Sequence, residues 1–178
     1  MSANKLELIQ SVEVTSNVQS VVLGGASWNN SYDSYTVIIT GVEIDSPQEI
    51  HMHYLDSSNA QVTTNYSYSF QRSSVSTIST ETTVKATGAD DIEIGQTNTV
   101  GGSGASFNCE ILLQDFNDAS KLSSGMMDII FQNTSAEMSC ETGGFFNTTA
   151  AIHKGLEFEV EGSNNFTAGR FTLYGIGS

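Results

Sequence analysis

The chain has 178 residues, 38% of them hydrophobic and 15% charged, with 16 Gly and a single Pro. That length fits one domain of ordinary size with a real core, and the apolar content counted with Gly is too high for a disordered chain. Six Lys and Arg against 20 Asp and Glu leave a net charge of -14, which repels nucleic-acid phosphates and anionic leaflets, so neither nucleic acid nor a membrane is expected as a partner.

The N-terminal stretch from Met1 to Glu7 is polar, with no apolar signal core, and no run approaches the roughly 18 apolar residues of a membrane span. The chain is therefore expected to be made and folded in a cytoplasm. From there on, period-two alternation dominates, which is the signature of half-buried strands. Leu6, Leu8, Val12 and Val14 share one phase, and Val18 to Leu23 is a second run that ends at Gly24-Gly25. Tyr35 to Ile44 is apolar on both faces, as a central strand would be. Ile50, Met52 and Tyr54 alternate with His51 and His53, and Tyr66, Tyr68 and Phe70 alternate with Ser67 and Ser69.

The segment from 73 to 106 is rich in Ser, Thr and Gly and reads as an excursion, with weak strand signals at Val75 to Ile78 and Ile92 to Ile94. Phe107, Cys109, Ile111 and Leu113 alternate again. Met127 to Phe131 is another apolar run, and Glu137 to Phe146 reads as one strand broken at Gly143-Gly144. The clearest alternation is Leu156, Phe158 and Val160 against Glu157, Glu159 and Glu161. Asn164-Asn165 follows as a turn, and the return through Phe171 and Leu173 predicts a C-terminal antiparallel hairpin. Helical evidence is confined to one short turn within Asp115 to Gly125, with Asp118 as its N-cap. Together these predict an all-β fold, an antiparallel β-sandwich of jelly-roll-like form with eight to ten strands and little helix, in a single domain over 1–178.

Candidate functional residues are few. Trp28, Asn29, Tyr32 and Asp33 cluster, and such a group of rings and amides can meet a glycan or a protein partner. The competing reading has Trp28 plugging the end of the sandwich and Tyr35 opening the core strand. Asp90 and Asp91, with Gly101, Gly102 and Gly104, mark the long excursion as a segment that can order against a neighbouring subunit. His51 and His53, two apart on a strand, can hold a metal only if a third ligand approaches. The acidic groups Asp90, Asp91, Glu93 and Asp115, Asn117, Asp118 lack the spacing of a calcium loop. Cys109 and Cys140 read as buried free thiols, with a disulfide between them as the alternative. There is no phosphate loop, nucleophile elbow or other catalytic constellation, so no enzyme activity, cofactor or metal is expected.

Both ends of the chain carry a resemblance. The opening run Leu8-Ile9-Gln10-Ser11-Val12-Glu13-Val14-Thr15-Ser16, the Tyr-led strand from Tyr32 to Gly41, the Asn65-Tyr66-Ser67 step and the terminal Phe171-Thr172-Leu173-Tyr174-Gly175-Ile176 are similar to a widespread kind of bacteriophage virion β-sandwich protein. The resemblance is good at both ends and poor from 73 to 150. It implies a structural protein of the virion exterior, assembled in the host bacterial cytoplasm. The kinds it points to are a capsid decoration or head-fibre subunit or, alternatively, a tail-fibre tip that recognises a host glycan. It also implies that the partners are other virion proteins and further copies of the chain, as a homo-oligomer with a trimer favoured. The row of Glu157, Glu159 and Glu161 is expected to guard a sheet edge against pairing with other chains.

Overall fold

Alternation becomes strand along most of the chain. A computed structural model describes residues 5–74, 82–94, 105–132 and 138–177. Among these are twelve strands: β1 (Lys5–Val14), β2 (Ser20–Gly24), β3 (Ser34–Ile44), β4 (Ile50–Tyr54), β5 (Tyr66–Ser74), β6 (Thr82–Ala89), β7 (Ile92–Ile94), β8 (Phe107–Gln114), β9 (Ser124–Gln132), β10 (Met138–Asn147), β11 (Gly155–Val160) and β12 (Phe166–Gly177). The helical content of the described residues is one 3-10 turn, Gly25–Ser27. The turn expected between Asp115 and Gly125 is present as hydrogen-bonded turns rather than helix: the Lys121 amide donates to the Asp118 carbonyl at 3.1 Å, and Asp118 Oδ1 accepts from the Ser120 amide and hydroxyl at 2.9 and 2.6 Å.

The strands form two antiparallel sheets. A wide sheet has the order β1-β12-β3-β8-β9-β10-β5-β6, and a narrow one has the order β2-β11-β4-β7. Their facing sides make the core of an all-β sandwich. The wide sheet contributes Tyr35, Val37, Ile39, Phe107, Ile111, Ile129, Phe131, Phe145 and Phe171, and the narrow one Leu23, Met52, Tyr54, Leu156, Phe158 and Val160, all essentially closed to solvent. Each such Phe, Leu or Ile contributes roughly 1.5–3 kcal/mol by leaving water. The Phe158 and Phe171 rings meet across the two layers with centroids 5.4 Å apart.

Several local readings needed correction. Leu156, Phe158 and Val160 do point inward, but β11 and β12 are not a hairpin. β11 pairs with β2 and β4, whereas β12 pairs with β1 and β3. The chain changes layer at the turn after Val160, where Gly162 takes a left-handed φ of 73°. Asp45 anchors the turn, accepting from the Asn165 amide and side chain at 3.0 and 2.9 Å. Because β11 lies inside its sheet, the glutamate row faces outward and guards no edge.

Leu6 and Leu8 do not share the buried phase of Val14. Leu8 sits opposite Tyr174 and Gln10 opposite Leu173, so Ile9 is an extra residue that flips the alternation. Leu6 and Leu8 are exposed, at 52% and 62%.

Gly143-Gly144 does not break β10. A side chain at Gly143 would run into the Ser69 carbonyl and Phe70, so the glycine lets β5 and β10 pair closely. Cys109 is buried but Cys140 is exposed, and both are free. They lie two strands apart on opposite faces of the wide sheet, a placement no disulfide can span. The 73–106 segment supplies β6 and β7, an edge strand for each sheet, and β6 carried no alternation strong enough to be read. The weak signal at Val75 to Ile78 falls outside the described residues.

Candidate functional site

The strand registers map the outer face of the wide sheet residue by residue. One row runs Leu8, Tyr174, Thr36, Leu112, Met126 and Gly144 across β1, β12, β3, β8, β9 and β10. The next runs Ile38, Glu110, Asp128, Thr142 and Gln71, and beyond it Asn108, Ile130, Cys140 and Ser73 lie side by side. The last two rows line a trough of about 700 Å³. Met126 is 63% exposed and Ile130 52%. Leu6, Leu8, Met138 and Phe146 are exposed on the same face. A single exposed apolar side chain is ordinary, but this many on one sheet face is the mark of an interaction surface. Glu110 and Asp128, adjacent in register on β8 and β9, set a negative pair between the apolar rows. Sequence reasoning missed this surface. The available signals were the second apolar phase of β3, which was read as double-sided burial, and the apolar run of β9, whose outward side chains were not told apart from its inward ones.

The predicted cluster near Trp28 is divided in two. The Trp28 ring packs on Tyr35 and Phe116, at 3.9 and 5.8 Å between centroids, and its Nε1 donates to Asn117 Oδ1 at 2.9 Å. Asn117 Nδ2 in turn donates to the carbonyl oxygens of Asn30 and Tyr32 and to the Tyr35 hydroxyl. Trp28 therefore closes the end of the sandwich, and it also lines a cleft of about 330 Å³ with Asn30, Asn59, Asn117, Ile152 and Lys154. Asn29, Tyr32 and Asp33 line a different cleft with Lys5 and Glu7. There the Tyr32 hydroxyl donates to Glu7 at 2.6 Å. Bonds from Lys5 and Tyr32 hold the Glu7 carboxyl below the usual range, and the same bond to Glu7 raises the Tyr32 phenol.

The acidic groups serve their own chain. Lys121 Nζ lies 2.9 Å from Asp115 and 3.7 Å from Asp118. Asp90 is exposed, and Asp91 Oδ2 lies 3.2 Å from His51 Nδ1. Gly101, Gly102 and Gly104 lie outside the described residues. His51 and His53 share the outer face of the narrow sheet, but His53 Nδ1 sits 3.4 Å from the Val62 carbonyl and has no part in any group of metal-ligating side chains among the described residues.

Among the described residues one serine–histidine pair is present, Ser123 Oγ with His153 Nδ1 at 2.7 Å. Both residues are sealed from solvent beneath Tyr54 and Phe116, so no substrate can reach them. Burial lowers His153 to about 4, which keeps the ring neutral. The pair completes the hydrogen bonding of a buried end-cap, together with the Tyr54 hydroxyl, which donates to the Ser123 carbonyl at 3.3 Å.

Comparison with protein-family models, with curated proteins and with solved structures finds no match for this chain, and its all-β sandwich stands on the strand registers alone.

Proposed function

We propose that the chain is a structural protein of a bacteriophage virion, a capsid decoration or head-fibre subunit on the particle exterior, which attaches through the outer face of its wide sheet. The observation that carries this reading is the apolar outer face, with Met126 and Ile130 exposed on either side of Glu110 and Asp128. Such a face fits a partner that presents apolar side chains around one or two Lys or Arg, since a lone acidic pair within an interface needs an opposite charge. A second copy of the same face would bring acid onto acid, so the partner at this surface is another virion protein. Oligomerisation, with a trimer favoured, would use a different surface. The terminal Phe171 to Ile176 motif and the opening Leu8 to Ser16 run support the virion assignment by resemblance.

Purified protein mixed with particles that lack it should sediment with them at a stoichiometry set by capsid symmetry. Ile130→Asp should abolish that binding, and Asp128→Lys should weaken it by about tenfold or more, as loss of a charged pair in an interface does. Undiminished binding by Ile130→Asp would overturn the reading.

The second reading, a fibre tip that binds host glycan, is favoured by the cleft where the Trp28 ring meets the amides of Asn30, Asn59 and Asn117. On that reading the wild type binds host cells or their polysaccharide, and Asn59→Ala loses the binding while Ile130→Asp keeps it.

A further inference from the structure

We propose that Glu49, His51 and Glu161 form a binding site for one divalent first-row transition-metal ion of the Zn²⁺ or Mn²⁺ kind, at one end of the narrow sheet. The three residues converge through strand pairing. The Glu161 amide donates to the Glu49 carbonyl at 3.1 Å, which sets the two acids opposite one another, and His51 follows two residues along β4. One ligand atom from each residue lies within 4.8 Å of the other two. Ligands around one such ion stand about 3–4 Å apart, given bonds of about 2.0–2.2 Å, so a small rotation of the exposed Glu161 side chain closes the set.

The second observation concerns the imidazole itself. Its Nδ1 lies 3.2 Å from Asp91 Oδ2, within reach for the ring proton. In the tautomer that carries its proton on Nδ1, the lone pair is on Nε2. This nitrogen is buried, has no hydrogen-bond partner among the described residues, and stands 3.7 Å from Glu49 Oε2. A buried acceptor aimed at a carboxylate oxygen is unfavourable unless a cation lies between them. An imidazole held by a carboxylate on one nitrogen and offering the other is how metal sites fix a histidine's tautomer and direction. The neighbouring Gln48 has its Oε1 buried and also without a partner among the described residues, an additional oxygen donor next to Glu49 in the chain. Imidazole with two carboxylates suits Zn²⁺ or Mn²⁺, whereas Ca²⁺ takes oxygen ligands.

The test is calorimetric titration of the full chain, stripped with chelator, with Zn²⁺, Mn²⁺ and Ca²⁺ at neutral pH and physiological salt. The expected result is one Zn²⁺ or Mn²⁺ per chain, with Ca²⁺ weaker. Glu161→Gln, a change at an exposed side chain, should lower affinity by about tenfold or more, and Asp91→Asn by about 10–100-fold. The melting temperature of Glu161→Gln in chelator should equal that of the wild type, which separates lost metal binding from lost folding. The proposal is overturned if the wild type takes up no stoichiometric Zn²⁺ or Mn²⁺, as it would if a proton alone fills the gap at Nε2. It is equally overturned if Glu161→Gln and His51→Ala bind as the wild type does, since the ions would then be held diffusely by the acidic surface.

Discussion

The two outer faces of the sandwich obey different rules. The narrow sheet presents Glu157 and Glu159 on β11 beside His53 and His51 on β4, the polar alternation expected of a sheet that meets water. The wide sheet presents Leu8, Met126 and Ile130 to solvent, with Glu110 and Asp128 as the charged break among them. Both sheets bury the same kind of inner face, so the difference is not a demand of folding. On the function proposed above, the side chains of the wide layer answer to stability on the inside and to a partner on the outside.

The sharpest test of that division is on the inside. Phe158→Ala or Phe171→Ala should cost about 3–5 kcal/mol, measured by urea unfolding, because each ring is fully enclosed by the opposite layer. A loss under about 1 kcal/mol would mean that the layers do not pack through these rings.

A somewhat smaller effect comes from the sealed end of the sandwich. His153 titrates at about 4 in the folded chain, against 6.5 when free, so the folded protein holds fewer protons in that window. Its contribution is complete above 6.5 and is lost as the pH falls from 6.5 toward 4, to a total of about 2–3 kcal/mol. Melting curves recorded across that window should fall more steeply for the wild type than for His153→Gln. Parallel curves would place the ring in water.

The smallest effect is expected on the outside. Ile130→Ser and Met126→Ser should change stability by no more than about 0.5 kcal/mol, since these side chains are already half or more exposed. The same substitutions should weaken particle binding. A large stability loss from either would make the outer apolar rows part of the fold rather than a surface held for a partner.

What the amino-acid sequence discloses about this molecule follows the range of the interactions involved. Alternation is local, and at Leu156 to Val160 it correctly divides inside from outside. Pairing is not local. The turn at Asn164-Asn165 looks the same whether β12 returns beside β11 or crosses to the other layer, and only the distant partners β1 and β3 decide it. One extra residue, Ile9, reverses the phase of β1 without leaving any trace in composition. The candidate metal ligands were out of reach for the same reason. His51 suggested His53, its neighbour in sequence, whereas the residues that meet it are Asp91, Glu49 and Glu161. The outer face of the wide sheet was hidden because an apolar second phase on a strand equally describes a strand covered on both sides.

The sheet order also sets a timetable for biosynthesis. Among the described residues β1 pairs only with β12, and β2 only with β11, so the two strands synthesised earliest in this sandwich wait for its last two. More than a hundred residues separate these partners, a delay on the order of ten seconds at ordinary elongation rates. Throughout that interval the apolar strand from Ser34 to Ile44 is without its β12 neighbour. Acquisition of the native sandwich is thus a late event governed by long-range pairing, slow for a chain of this size and dependent on keeping the nascent amino-terminal third from associating prematurely.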